Sequence, residues 1–403
     1  MAKRKAELFE ETSSSGEEDP IVDEDICAKN DLETQFSSKY CISSEEAVSL
    51  KHVYVLSLTS NEQFNRIAAG MSNGQVHLFD IQTGSRLDRI HPITPSAKSS
   101  SICGLKFLNE NTLLVGKTSG KIFLYDIRTN KKVQTFEEKN EDSPKPILCF
   151  DSNINERIIC AGTEQVLRDS YILFFDIRQN DLLGAYWESH QDDITSVKFH
   201  PKQSDLLISG STDGLINIFD ISQKAEEDAI QMTLNTDSSV HRLNWHKNVY
   251  DKDIISCITH TNDLQLFQGD EGDLISSFDR SKITTAIKRN FEGDCYLVNC
   301  HSMEDDSIFI LAGSIFNKGN VLRSLKVLNK SLEPLGNFEE NKQIVRDSVY
   351  NSKSGIIVTS GESGIVTVWT EDSKNPISNL KSKTKNQDEV KSCKRGRLNT
   401  EDD

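Results

Sequence analysis

The chain has 403 residues, 46 basic against 62 acidic, a formal charge of -16 and a mean hydropathy of -0.48. No run approaches the roughly 20 apolar residues that a membrane-spanning helix needs. The N-terminus reads MAKRK and turns acidic with no apolar stretch of signal-peptide length, so neither a membrane role nor secretion is expected. So negative a bulk charge argues against general nucleic-acid binding, and no direct sequence-specific contact with nucleic acid is expected either.

The first segment, residues 1–36, reads as a disordered acidic tail. No Lys or Arg occurs from Ala6 to Ala28, and a run of Glu and Asp repels itself without apolar side chains to bury. Within it, Lys3, Arg4 and Lys5 form a short basic cluster of the kind read as a nuclear import signal. Ser13, Ser14 and Ser15 precede Glu17, Glu18 and Asp19, a setting that suits acid-directed kinases, and phosphorylation there would deepen the negative charge.

From 37 to 372 the composition changes to short β-branched and aromatic runs divided by Gly, Asn, Asp and Ser. One pattern recurs: a small apolar strand ending near Gly, a tight turn, then a strand ending in an aromatic residue and Asp. The copies are AAGMSNGQVHLFD at 68–80, LVGKTSGKIFLYD at 114–126, CAGTEQVLRDSYILFFD at 160–176, ISGSTDGLINIFD at 208–220 and TSGESGIVTVWT at 359–370. Two weaker copies, CITHTNDLQLF at 257–267 and LAGSIFNKGNVLRSLKV at 311–327, fill the gap, giving steps of 46, 46, 48, about 49, about 54 and 48 residues. Each unit reads as four short strands. A lone four-stranded sheet cannot cover its own faces, so the units must stack, and a closed ring leaves no open end.

This period, with Gly, aromatic and Asp at these offsets, resembles the WD-repeat family, whose units each form one blade of a β-propeller. The resemblance implies an all-β, seven-bladed propeller of four-stranded antiparallel blades. KYCISS at 39–44 would supply the fourth strand of the last blade, which lacks one of its own after Trp369. The remaining residues, 373–403, read as a disordered basic tail carrying a second import-like cluster of Lys394, Arg395 and Arg397.

The nine Cys residues are odd in number, have no CxxC spacing and sit partly in apolar runs, which suits core positions in a reducing compartment. No phosphate-loop, dinucleotide or HExxH motif is present, and the nine His residues show no ligand spacing, so no metal, cofactor or catalysis is expected. His190, Ser209 and Asp213 invite comparison with a catalytic triad, but no G-x-S-x-G accompanies them. The WD-repeat resemblance instead implies a structural hydrogen-bond network of His190, Ser209, Asp213 and Phe219. Phe219 stands where the family has Trp and has no N–H to donate.

Tyr125-Asp126-Ile127-Arg128 and Phe175-Asp176-Ile177-Arg178 end two consecutive repeats. They resemble the W-D-x-R element of propellers that act as substrate receptors of cullin-type ubiquitin ligases, which implies Asp126, Arg128, Asp176 and Arg178 as adaptor contacts. The stretches IICAGTE at 158–164, GAYWESHQDDITSVKFHP at 184–201, SGSTDGLINIFD at 209–220, EEDAI at 226–230 and ITHTNDLQLF at 258–267 are similar to the WD repeat-containing protein 89 family. That resemblance implies a non-catalytic scaffold for other proteins, nuclear and also cytoplasmic, and the basic clusters and acidic arm fit a role in ribosomal or chromatin assembly. Basic clients would suit the acidic arm, and a ligase substrate receptor is the alternative.

Overall fold

The computed structural model describes residues 24–48, 53–82, 85–90, 92–93, 100–138 and 144–372. Lys3, Arg4, Lys5, Ser13, Ser14, Ser15, Lys394, Arg395 and Arg397 lie outside the described residues.

Five four-stranded antiparallel sheets follow one another along the chain. The first blade holds Val55–Ser60, Arg66–Met71, Val76–Gln82 and Arg86–Arg89; the second holds Ile102–Asn109, Thr112–Lys117, Lys121–Asp126 and Lys131–Phe136. The third is built of Ile147–Ser152, Ile158–Thr163, Ile172–Asp176 and Asp181–Tyr186. The fourth comprises Ile194–Phe199, Leu206–Ser211, Leu215–Asp220 and Ile230–Asn235, and the fifth Val240–Lys247, Asp253–Thr259, Leu264–Gln268 and Leu274–Phe278. Second and third strands are buried on both faces because a neighbouring sheet covers each side. In the fourth blade only the end residues of Leu206–Ser211 and Leu215–Asp220 are partly exposed. First strands pack on one another in sequence, and the circuit closes where Val345–Tyr350 packs on Val55–Ser60.

The expectation of seven separate four-stranded antiparallel blades is corrected by the remaining strands, which form one eight-stranded sheet. Its order is Cys295–Ser302, Ile308–Ser314, Val321–Val327, Leu332–Phe338, Ser38–Ala47, Ile365–Glu371, Ile357–Gly361 and Val345–Tyr350. The cause is the N-terminal strand, which uses both of its backbone edges. It pairs antiparallel with Ile365–Glu371 and parallel with Leu332–Phe338, through Ser38 to Gly336, Lys39 to Asn337 and Tyr40 to Phe338. An outer strand that would otherwise present unpaired N–H and C=O groups is thereby covered. Side chains lock the junction: Tyr40 stacks on Phe338 at 4.6 Å, and Phe338 meets the fully buried Trp369 edge-on at 5.3 Å.

Residues 24–36, which the sequence reading assigns to the acidic tail, pack against this sheet. Leu32 of helix Lys29–Gln35 and the following Phe36 join a buried apolar cluster with Ile283, Ile287 and Leu325. The Asp25 carboxylate lies 3.2 Å from Arg289 and 2.8 Å from Arg323, two guanidinium groups that are themselves almost fully buried. Without that carboxylate they would carry buried charge with one partner fewer.

Two glycine roles explain the repeat signature. Gly214 adopts φ +85° in the turn between second and third strands, a region that L side chains rarely enter. Gly210 instead makes room: a Cβ there would lie 2.5 Å from Val240 of the next blade. The weaker fifth copy meets the turn requirement with Asn262 at φ +64°, Asn being the side chain that best tolerates this conformation. None of the eight described cysteines is joined in a disulfide, and four of them are buried.

Candidate functional site

In the fourth blade the chain brings His190, Ser209 and Asp213 together. His190 Nδ1 lies 3.0 Å from Asp213 Oδ2, and its Nε2 lies 2.6 Å from Ser209 Oγ. Asp213 also accepts the backbone N–H of Gln191 at 3.0 Å and of Leu215 at 2.9 Å. Burial alone would raise the Asp213 carboxyl, but the His190 bond and these two donors hold it below the usual carboxylate range. Ser209 and His190 are buried and Asp213 is only slightly exposed, so the three tie the preceding loop to the blade.

Phe219 stands apart from this network: it is fully buried against Tyr186, with ring centroids 5.4 Å apart. The sequence reading missed Asn217, whose amide donates to Ser189 O at 2.8 Å and lies 3.3 Å from His190 Nε2. Thr233 Oγ1 completes the chain by donating to Asn217 Oδ1 at 2.6 Å. The available signal was a single polar residue inside the apolar strand LINIFD. The last sheet has the indole that the fourth blade lacks, and Trp369 Nε1 donates to Thr359 Oγ1 at 2.8 Å.

Asp126 with Arg128 and Asp176 with Arg178 occupy equivalent turns of the second and third blades. Each Asp accepts the backbone N–H of its own Arg, at 2.9 Å and 2.8 Å, and each guanidinium folds back onto that carboxylate at 3.1 Å and 3.0 Å. These arginine hydrogen bonds lower both carboxyls. Both guanidinium groups remain about two-thirds exposed, so the turn fixes their direction while leaving donors for another molecule.

The first strands enclose a central channel of about 890 Å³. Charged residues line it in pairs: Lys106 meets Asp151 at 2.5 Å and Arg242 meets Asp347 at 2.6 Å. The second oxygen of each acid serves a neighbouring strand, Asp151 accepting from Phe199 N at 2.8 Å and Asp347 from Leu58 N at 2.7 Å. Ser196 Oγ does the same for Leu243 N at 3.1 Å. These side chains bind one sheet to another, and each charge they carry has an opposite partner.

Two channel histidines are held neutral by burial, His246 down to about 4 and His301 to about 3. His246 bridges Ser302 Oγ at 2.7 Å and Ser256 Oγ at 2.8 Å. Among the described residues no group of three or more His, Cys, Asp or Glu is placed to hold a metal ion.

Residues 36–172 match the family described as Nucleolar protein 10-like, N-terminal domain, and residues 182–220 match WD domain, G-beta repeat. The chain is 32% identical over 180 residues to an uncharacterized WD repeat-containing protein of Saccharomyces cerevisiae, covering 44% of each. It is 24% identical over 332 residues to the WD repeat-containing protein 89 homolog of Dictyostelium discoideum, covering 82% of this chain and 86% of that one. Similarity to WD repeat-containing protein GTS1 of Arabidopsis thaliana is 24% over 144 residues, 36% of each chain. The aligned part thus spans less than half the length of the yeast and Arabidopsis relatives. Repeat, closed circuit of sheets and long alignment together make the chain a β-propeller that is similar to WD-repeat proteins, the WD repeat-containing protein 89 homolog among them.

Proposed function

We propose that the protein is a non-catalytic interaction scaffold of the nucleus that holds other proteins together during assembly of ribosomal or chromatin complexes. The observation that carries this reading is the match of residues 36–172 to a Nucleolar protein 10-like domain, which favours a nucleolar or nuclear setting. The frame suits the task, because rigid strands packed edge to edge leave the connecting loops free to vary. Similarity to WD-repeat proteins along most of the chain supports a protein-binding role. Affinity purification of the tagged chain from its own cells, followed by mass spectrometry, tests the reading. Ribosome-assembly or chromatin proteins are expected, and their absence from a nuclear preparation refutes it.

A second reading, substrate receptor of a cullin-type ligase, is favoured by the paired exposure of Arg128 and Arg178 in consecutive blades. Under it, Arg128→Ala with Arg178→Ala releases a cullin adaptor from the purified complex without lowering the melting temperature. An unchanged adaptor signal ends that reading.

A further inference from the structure

We propose that the turn at residues 248–252 is a docking knuckle for a partner's peptide segment in which an apolar anchor is flanked by lysine or arginine. The inference rests on the scaffold reading and assigns it a surface. Val249 is 69% exposed and Tyr250 83%, two large apolar side chains presented side by side. Their backbone is held by hydrogen bonds within the turn. Asn248 Oδ1 accepts from Tyr250 N at 2.9 Å and Lys252 N at 3.0 Å, and Asp251 N donates to Asn248 O at 2.9 Å. Lys247 Nζ then holds the Asp251 carboxylate at 2.7 Å. An aromatic side chain with two rotatable bonds on a fixed backbone loses little entropy on binding, which is why such residues anchor interfaces.

A cleft opens on each side of the turn's strands. One, of about 360 Å³, sets Val249, Tyr250, Ile254 and Ile275 among polar side chains that include Lys252 and Asp253, and its apolar part suits an apolar side chain. The other, of about 770 Å³ between the fourth and fifth blades, is lined by Asp205, Asp220, Asp253 and Asp270 against Lys202; Lys252 lies 3.4 Å from Asp270 and Lys247 3.6 Å from Asp253, so the carboxylates still outnumber the lysines. Hydrogen bonds from Ser222 hold the Asp220 carboxyl below its ordinary range, so it stays ionised at neutral pH. An apolar knuckle between an apolar cleft and a carboxylate-lined one complements a segment carrying both characters, and the negative cleft selects cationic flanks.

The test uses the full chain and a fluorescein-labelled peptide KKRLFKKRS, read by fluorescence anisotropy, with DDELFDDES as the charge-reversed control. Saturable binding of the basic peptide is expected, weakened about ten-fold or more by Tyr250→Ala. Asp220→Asn combined with Asp270→Asn is expected to weaken it about three-fold and to flatten its dependence on salt between about 50 and 300 mM. A melting temperature unchanged in each variant separates lost contact from lost fold. Equal binding of both peptides, no binding, or binding indifferent to Tyr250→Ala overturns the proposal.

Two other occupants would also overturn it. A chain with Lys391→Gln, Lys394→Gln, Arg395→Gln and Arg397→Gln that binds the peptide about ten-fold tighter would identify this chain's own C-terminal segment. A native dimer that Tyr250→Ala converts to a monomer in sedimentation would identify a second copy. Partners that co-purify unchanged with Tyr250→Ala remove this surface and leave the scaffold reading, whereas a native chain that captures none removes the scaffold reading itself.

Discussion

His246 offers the clearest quantitative consequence of the polar channel. It is 5% exposed, bonded to two serine hydroxyls, and burial lowers it to about 4, while an unfolded imidazole titrates near 6.5. A lowered histidine favours folding fully above the unfolded value, and that stability is lost as pH falls from about 6.5 toward the folded value near 4. Between pH 7 and pH 5 the unfolded chain takes up nearly a full proton that the folded site refuses, a loss of about 2 kcal/mol. His246→Gln removes this titration, though it costs about 1–3 kcal/mol at both pH values through the serine bonds. Urea unfolding of native and variant chains at the two pH values isolates the effect. The stability advantage of the native chain should shrink by about 2 kcal/mol at pH 5, and an advantage of equal size at both would refute a buried neutral imidazole.

Tyr40→Ala removes the ring stacked on Phe338 and should cost about 3–5 kcal/mol, visible as a lowered melting temperature, while deletion of 38–47 should abolish the cooperative transition in calorimetry. Trp369→Phe keeps the aromatic packing but strands the buried Thr359 hydroxyl, for a loss of about 1–3 kcal/mol in chemical denaturation. Leu167 and Arg168 sit at φ +56° and +82° in a two-residue turn closed by reciprocal Val166–Asp169 backbone bonds, with Leu167 94% exposed. Leu167→Asn with Arg168→Gly supplies residues suited to those angles and should raise stability by about 1–2 kcal/mol; a fall in melting temperature would show that the Leu167 side chain contributes packing.

Repeats made the fold legible wherever a local requirement selects one residue type. Gly210 and Gly214 are dictated by a neighbour 2.5 Å away and by a positive φ, and both appear in the sequence as a motif. His190, Ser209 and Asp213 lie within one repeat, so their association could be read from spacing. The fifth copy was harder because Asn262 meets the same turn requirement without glycine. The parallel pairing of Ser38–Ala47 with Leu332–Phe338 left no local trace, since backbone edges pair without regard to side chain and the two segments are distant in the chain. Channel pairs were hidden for a similar reason. Arg242 and Asp347 are 105 residues apart, and nothing near either one names the other.

The strand Ser38–Ala47 is synthesised more than 300 residues before its partner Ile365–Glu371, yet it ends up beside it. During translation the ring is therefore an open arc. The apolar first strand of the first blade and the unpaired edge of Ser38–Ala47 both wait for segments still inside the ribosome. Closure becomes possible only when the last sheet has emerged, so the nascent chain's exposure to aggregation ends in a single late event. A premature stop before residue 365 would accordingly leave every earlier sheet intact in sequence and still deny the ring its final seam.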